Sequence, residues 1–260
     1  MPEISVILPT YNEAENILDM IEHVEAELNG VGYEILVVDD DSPDGTSRIV
    51  SENLSRFSNL RLITRKENRG LVPAINEGIR NAEGDVCLWM DADLSMPAAT
   101  IKALLAEVNA GADIAVGSRY VEGGGFKGAD LENRSLYRTW RNLKNTEDSF
   151  LSVAISWVGN KAVRFFLDSA YHDYTSGFYA VRRPVFDRVM LEGRHLEYCI
   201  RFLFTAVRSG FCVVEVPVVI EPRKRGVSKT ANDLQTLIPI AADCFRTIID
   251  LFMMDRRGWD

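Results

Sequence analysis

A mostly parallel α/β sheet with helices on both faces is the fold class this sequence predicts. Two observations carry the prediction. Short apolar runs alternate with helix-period segments through the first 116 residues, and polar or acidic residues follow each apolar run abruptly. Taken in order, Ile4–Leu8 is an apolar run ended by Pro9 and reads as a buried strand. After Asn12, the expected N-cap, Ile17, Ile21, Val24 and Leu28 fall on one helical face. Glu34–Val38 predicts a second strand, Thr46–Phe57 a helix, Leu60–Ile63 a third strand and Leu71–Ala82 a third helix. Asp85–Met90 predicts a fourth strand running into Asp91. Pro97–Asn109 predicts a helix with Pro97 in its first turn and Gly111 past its end, and Asp113–Val116 a fifth strand.

The second half is less regular. The glycines Gly123–Gly125 open a charge-rich stretch to Asp148 that predicts a mobile loop, with a short helix around Tyr137–Leu143. Phe150–Leu167 and Leu234–Met254 have amphipathic helical patterns. Ser176–Val181 and Cys212–Ile220 predict strands flanking a helix over Glu197–Arg208. The resulting organisation is a catalytic domain over residues 1–230, with a mobile or inserted loop at 122–150, and a C-terminal amphipathic helix over 231–260.

Composition bounds the function. The 260 residues are 47% hydrophobic and 26% charged, which suits a soluble globular chain. Lysine and arginine number 29 against 38 acids, a net charge of −9 that argues against nucleic acid as a partner. Four scattered cysteines form no CxxC pair, so they read as structural thiols of a reducing compartment. The chain opens directly into a strand without a basic, cleavable leader, and no apolar run reaches the ~18 residues of a spanning helix. The expected location is cytoplasmic, with peripheral contact at the membrane face open.

In sheets of this kind ligands bind beyond the carboxyl ends of the strands. Those ends carry Pro9-Thr10-Tyr11, Asp39-Asp40-Asp41, Asp91-Ala92-Asp93 and Gly117-Ser118-Arg119. Two carboxylates one residue apart at a strand end suit a hard divalent cation, Mg²⁺ or Mn²⁺, that neutralises a nucleoside diphosphate. A solvated turn would also accept D-x-D; its position directly after an apolar strand favours the site. Three adjacent acids at Asp39–Asp41 repel one another unless they meet a ligand's hydroxyls, a base N–H or a cation, although helix capping by Asp41 or Asp44 accounts for one of them. Tyr11 could stack on a base and Glu13 accept from a ribose, or both could belong to a turn and cap. Arg119 and Arg223-Lys224-Arg225 offer phosphate contacts, or simply solvated surface. The histidines His23, His172 and His195 are scattered and receive no metal. Neither G-x-G-x-x-G nor G-x-x-x-x-G-K-[ST] occurs, which removes dinucleotide-binding dehydrogenases and P-loop enzymes.

Ser5-Val-Ile-Leu-Pro-Thr-Tyr-Asn-Glu13, Val37-Val-Asp-Asp-Asp-Ser-Pro-Asp-Gly45, Met90-Asp-Ala-Asp-Leu94 and Gly117-Ser-Arg-Tyr120 together resemble family 2 glycosyltransferases of the GT-A (Rossmann-like) fold, nearest the dolichol-phosphate mannose synthases. Thr175-Ser-Gly-Phe178 and Arg223-x-x-Gly-x-Ser-Lys229 extend the resemblance along the chain. It implies inverting, metal-dependent transfer from a nucleoside diphosphate sugar, often GDP-mannose, to a polyprenyl (dolichyl) phosphate. By that resemblance Pro9, Tyr11, Glu13 and Asp40 hold the nucleoside, and Asp91 and Asp93 hold Mg²⁺ or Mn²⁺ with Ala92 against the nucleotide. Arg119 binds the acceptor phosphate, and Arg223 with Lys229 closes over the diphosphate.

The sequence departs from the family at Ser95, where a glutamine is common, at Tyr174 in Asp173-Tyr174-Thr-Ser-Gly-Phe178, and at Ser152, where an acceptor-phosphate arginine is expected. Arg134, Arg138 and Arg141 of the apparent insertion over 129–151 are candidates to replace that charge. A UDP-sugar enzyme acting on a glycan or another hydroxyl acceptor is the alternative; it needs a general base, for which Asp173 is the candidate. A different class, a non-catalytic nucleotide-sugar-binding protein, would not need to keep both Asp91 and Asp93. The helices over 150–167 and 234–254 would pack on the chain's own core, on a second subunit in a homodimer, or on a bilayer.

Overall fold

The computed structural model describes residues 3–127, 150–222 and 234–257. Its centre is a seven-stranded sheet built by alternation of period two. In β1 (Ile4–Thr10), Val6 and Leu8 point to one face and Ile7 to the other; in β2 (Tyr33–Asp39), Ile35 and Val37 oppose Leu36 and Val38. In β4 (Val86–Trp89), Leu88 opposes Cys87 and Trp89. Each face therefore presents an apolar surface, and each acquires its own helices. Ile17, Met20, Ile21 and Val24 of α1 (Ile17–Glu27) and Ile101, Leu104, Leu105 and Val108 of α4 (Thr100–Asn109) cover the first. The second is covered by Val72, Ile75 and Ile79 of α3 (Leu71–Asn81), the buried stripe of α6 (Glu197–Arg208), and Ile248 and Leu251 of α7 (Leu234–Arg257). Helix α2 (Thr46–Asn53) buries Val50, and α5 (Phe150–Phe166) buries Val163.

The strand order is β3-β2-β1-β4-β7-β5-β8, with β3 at Leu60–Thr64, β5 at Ile114–Ser118, β7 at Tyr179–Arg182 and β8 at Val213–Pro217. All neighbours run parallel except β7, which lies antiparallel between β4 and β5. Its amino end thereby joins the carboxyl ends of β1, β2, β4 and β5 on one rim, where Thr175–Gly177 line the same cleft as Pro9, Asp40, Asp91 and Arg119. A short parallel pair, β6 (Gly125–Phe126) with β9 (Val219–Ile220), completes the described strands.

Among the described residues the predicted elements are present with shifted ends. Asn12 is not the cap of α1: it has a left-handed backbone (φ 56°), and Asn16 stands at the N-cap. Residues 97–99 form the turn before α4, closed by Thr100 N–H on the Pro97 carbonyl. The strand predicted over 212–220 divides into β8 and β9, because Val218 leaves the main sheet to bond across the rim: its N–H donates to the Ser118 carbonyl, and its own carbonyl accepts from Gly125. The expected helix around 137–143, most of the loop over 122–150, and Arg134, Arg138, Arg141, Arg223 and Lys229 lie outside the described residues. All four cysteines are free. Burial pushes the thiol of Cys87 up to about 11 and that of Cys244 to about 12, so these two serve as packing groups.

Candidate active site

The strand ends open into one cleft of about 890 Å³. Pro9, Thr10, Tyr11 and Glu13 line it from the β1 side, Asp40 and Gly70 from the β2 and β3 side, and Asp91, Ala92 and Asp93 from β4. Arg119 enters from β5, Thr175–Gly177 from the start of β7, and Pro239 with Ile240 from α7. Among the described residues four that are not glycine adopt left-handed backbone, Asn12, Asp41, Asn68 and Leu94, and all four sit in loops at this rim. A leucine in that conformation costs about 1–2 kcal/mol, and strain of this kind persists where surrounding structure imposes it, commonly around ligand sites.

The three adjacent acids have separate fates. Asp39 is fully buried and accepts from Thr10 Oγ1 (2.9 Å), Ser42 N (2.9 Å), Ser42 Oγ (2.5 Å) and Ser47 Oγ (2.5 Å), so it organises the loop. Asp40 reaches the cleft, with Oδ1 2.7 Å from Arg65 Nη1 and Oδ2 2.6 Å from Gly70 N. Burial raises its carboxyl above the ordinary value even against the Gly70 N–H and Arg65. Asp41 forms an exposed pair with Arg69 at 2.7 Å. Neither Asp41 nor Asp44 is the N-cap of α2, which is Gly45 with no side-chain cap; Asp44, one residue earlier, accepts Thr46 N–H at 3.0 Å. Sequence reasoning missed Arg65 and Arg69; their signal was a basic pair on the loop following β3, whose neighbour β2 carries the acids.

Tyr11 is 42% exposed in the cleft wall, while Glu13 is buried and accepts from Asn16 Nδ2 at 2.9 Å. Asp93 is 2% exposed and accepts Ser95 N–H at 2.9 Å; Asp91 is partly exposed beside it. This set, two carboxylates on one cleft wall with the small Ala92 between them, fits a hard divalent cation that keeps open positions for phosphate oxygens. Ser95 N–H orients Asp93 as an outer-shell donor would.

Arg119 meets an unexpected partner. Asp173, fully buried, takes Arg119 Nε at 2.7 Å, Nη2 at 2.7 Å and the Arg119 backbone N at 3.0 Å. Nη2 also donates to Thr175 Oγ1 at 2.7 Å, and the guanidinium lies 5.4 Å from the centres of the Tyr120 and Phe126 rings. Burial pushes the Asp173 carboxyl up, but Arg119 and two backbone N–H groups more than offset this and hold it below the ordinary range. Burial likewise opposes charge on Arg119, and Asp173 overcomes it, raising the arginine above its usual value. Asp173 is therefore an ionised anchor committed to Arg119, which counts against its candidacy as a general base. Glu215 of β8 fixes the same segment from behind, accepting the N–H groups of His172 and Asp173 at 2.9 Å.

The histidines also have partners that sequence spacing did not reveal. His172 Nδ1 lies 2.9 Å from Glu215, and His195 Nδ1 lies 3.3 Å from Asp243, with Glu197 close by. Glu197 accepts the backbone N–H groups of Arg194 and His195, so this group ties the start of α6 to α7.

A doubly covered sheet with a strand-end carboxylate pair and an anchored arginine in one rim cleft defines a class, the α/β proteins whose ligand cleft lies beyond the carboxyl ends of the strands. Comparison with known proteins narrows it. The sequence model of Glycosyl transferase family 2 matches residues 5–190, and the chain belongs to that family. It is 37% identical over 227 residues to the dolichol-phosphate mannosyltransferase of Pyrococcus furiosus, a match covering 87% of this chain and 59% of that relative. The chain thus spans about three-fifths of that protein's length. It is 36% identical over 238 residues to the polyprenol monophosphomannose synthase of Mycolicibacterium smegmatis, covering 87% of this chain and 80% of the relative. In fold it is similar to glucosyl-3-phosphoglycerate synthase of Mycobacterium tuberculosis, solved with Mn²⁺, UDP and glucosyl-3-phosphoglycerate (TM-score 0.65, 17% identity, 97% of this chain and 81% of that one). It is also similar to a mannosyltransferase of Pyrobaculum calidifontis solved with GDP-mannose and Mn²⁺ (TM-score 0.59, 20% identity, 96% and 64%).

Proposed function

We propose that this chain transfers a hexosyl group, mannose from GDP-mannose, to a polyprenyl phosphate with inversion at the sugar carbon. One observation carries the reading: Tyr11 and Asp40, the Asp91–Asp93 pair, and Arg119 all open onto a single cleft. Pro9, Tyr11, Glu13 and Asp40 would hold the nucleoside, and Ala92 would lie against it. Asp91 and Asp93 would hold Mg²⁺ or Mn²⁺, which when bound neutralises the diphosphate as its bond to the sugar breaks. Arg119 would orient the acceptor phosphate, and Arg223 with Lys229 would close over the diphosphate.

A phosphate monoester has a second pKa of about 6 and is largely dianionic at neutral pH, so its oxygen attacks without a base. Asp173, the acid that a hydroxyl acceptor would use as base, is committed to Arg119. This disfavours the hydroxyl-acceptor alternative, which needs a group able to take a proton. What remains for the protein is positioning and charge stabilisation.

Thermal unfolding with GDP, UDP, CDP and their sugars, with and without Mn²⁺, tests the donor. A true donor at about a hundred times its Kd adds about 2.7 kcal/mol, or about 5–10 °C in a chain of this size. GDP-mannose with Mn²⁺ is expected to give that shift. Selective stabilisation by a UDP-sugar would move the assignment to the alternative donor, and silence toward every nucleotide would leave the non-catalytic class.

The reading includes peripheral contact with the cytoplasmic membrane face, where a polyprenyl acceptor resides, by α7 and by α5. Among the described residues no helix is long and apolar enough to cross a membrane. Phe165 and Phe166 of α5 and Ile238, Phe245, Ile249, Met253 and Met254 of α7 are exposed, with Arg164 and Arg246 beside them, as in an interfacial helix. Flotation with anionic vesicles is expected to carry the chain up, and Phe165→Ser with Phe245→Ser to leave it at the bottom. Equal flotation of wild type and variant would remove this part of the reading, and a homodimer seated on the same surface would show as a halved mass in the variant.

A further inference from the structure

Helix α5 turns two unlike faces to its surroundings. Outward it exposes Val158 and Phe165; inward it buries two polar side chains, Ser156 and Asn160. Asn160 is 4% exposed and spends its whole amide on the segment that holds Arg119. Its Oδ1 accepts Tyr174 N–H at 2.6 Å; its Nδ2 donates to Thr175 Oγ1 at 2.9 Å and to the Ser156 carbonyl at 3.0 Å, and lies 3.4 Å from Asp173 Oδ1. One side chain therefore pins residues 173, 174 and 175, two of which grip the Arg119 guanidinium.

Proton counting sharpens the point. Thr175 Oγ1 accepts from both Arg119 Nη2 and Asn160 Nδ2, so its single proton is directed to Ser156 Oγ at 3.0 Å or Asp173 Oδ1 at 3.3 Å. Without the amide this hydroxyl rotates, the Tyr174 N–H is orphaned, and the third contact on the guanidinium is lost. A helix held only by apolar packing has no use for a buried amide here, because burying one is costly unless it is fully bonded.

We propose that Asn160 is a positioning residue for acceptor phosphate binding: it fixes the Asp173–Thr175 segment so that Arg119 presents one orientation to the cleft, and it couples that orientation to the seating of α5. The inference rests on the assignment of Arg119 to the acceptor phosphate. Precise orientation of such a group matters, since displacements of about 1 Å can cost about a hundredfold in rate.

The test is steady-state kinetics of the full chain with GDP-mannose and farnesyl phosphate for wild type, Asn160→Ala and Asn160→Asp, with thermal unfolding of each. Asn160→Ala is expected to lower kcat/KM for farnesyl phosphate by about tenfold while KM for GDP-mannose stays within about twofold. Asn160→Asp keeps the shape but sets a second carboxylate near Asp173. Its loss should be full at about pH 8 and recover toward about pH 6, where a protonated carboxyl donates as the amide does. A ¹⁵N–¹H spectrum supplies a readout independent of substrate: the Arg119 Nε–H signal, assigned by its absence in Arg119→Lys, should be sharp in wild type and exchange-broadened in both variants.

Folded variants with unchanged farnesyl phosphate kinetics and a sharp Arg119 signal would overturn the proposal. Donor and acceptor parameters falling together, with no recovery at lower pH, would reduce Asn160 to a structural amide and overturn it equally. Wild-type enzyme that transfers nothing to farnesyl phosphate would count against the functional reading, and the Arg119 signal alone would then decide whether Asn160 positions it.

Discussion

Asp91→Ala and Asp93→Ala are each expected to abolish Mn²⁺-dependent stabilisation by the nucleotide sugar and to lower turnover by about a hundredfold or more. The two carboxylates occupy one cleft wall beyond β4, and Asp93 is oriented by Ser95 N–H. A cation held there would neutralise charge that develops on the departing diphosphate, an effect worth several kcal/mol, and about 2.7 kcal/mol already corresponds to a hundredfold in rate. Asp93→Ala also takes the acceptor from Ser95 N–H, which costs about 1–3 kcal/mol of stability on its own. The diagnostic pattern is loss of the metal-dependent shift, measured against each variant's own unfolding temperature without nucleotide. Either variant binding GDP-mannose as tightly as wild type in Mn²⁺ would detach the metal from these residues. Asn substitutions separate charge from coordination: oxygen donors remain but the charge is gone, so an intermediate effect would show that both matter.

The residues in that prediction were legible in the sequence because chemistry and topology coincide there. An apolar run that stops at an acid marks both a strand and its functional end, as at Val38-Asp39 and Met90-Asp91. The period-two pattern predicts that strands exist, but not their order or direction. Nothing local to Tyr179–Arg182 says that it inserts antiparallel between β4 and β5, yet this insertion brings Thr175 to the cleft. The partners of charged residues were equally hidden. Asp40 pairs with Arg65 across the β2–β3 contact, and Arg119 with a carboxylate 54 positions away. Charge pairing is set by three-dimensional proximity, and a single sequence prints no distances between elements. That is why Arg119 was legible as a basic residue at a strand end, while its fixed orientation was not. The same limit put Asp173 forward as a base, since an acid read from sequence carries no mark of the arginine that neutralises it.

Asp173→Asn should cost the fold about 3–5 kcal/mol, the usual loss when one partner of a buried ion pair is removed and the other charge stays behind. The change is nearly isosteric, and one oxygen remains to accept from Arg119 or Thr175, so the loss isolates the charge. Solvent does little to screen it, since Asp173 is fully buried and the Arg119 side chain is 14% exposed. The pH dependence follows from the sign of the shift. The carboxyl is held below its ordinary value in the folded chain, so its stabilisation is complete above the unfolded pKa of about 3.9 and is lost as pH falls through the folded pKa. Wild type and Asp173→Asn should thus differ by a constant amount above about pH 5, and the gap should narrow in acid as the wild-type carboxylate is titrated. Chemical denaturation of both proteins from neutral to acidic pH measures it. Adding Arg119→Met to Asp173→Asn removes the stranded charge and should restore much of the stability without restoring transfer, because the phosphate-orienting group is then gone. Restored stability with restored transfer would mean that the pair serves the fold alone, and the acceptor phosphate would have to be held elsewhere.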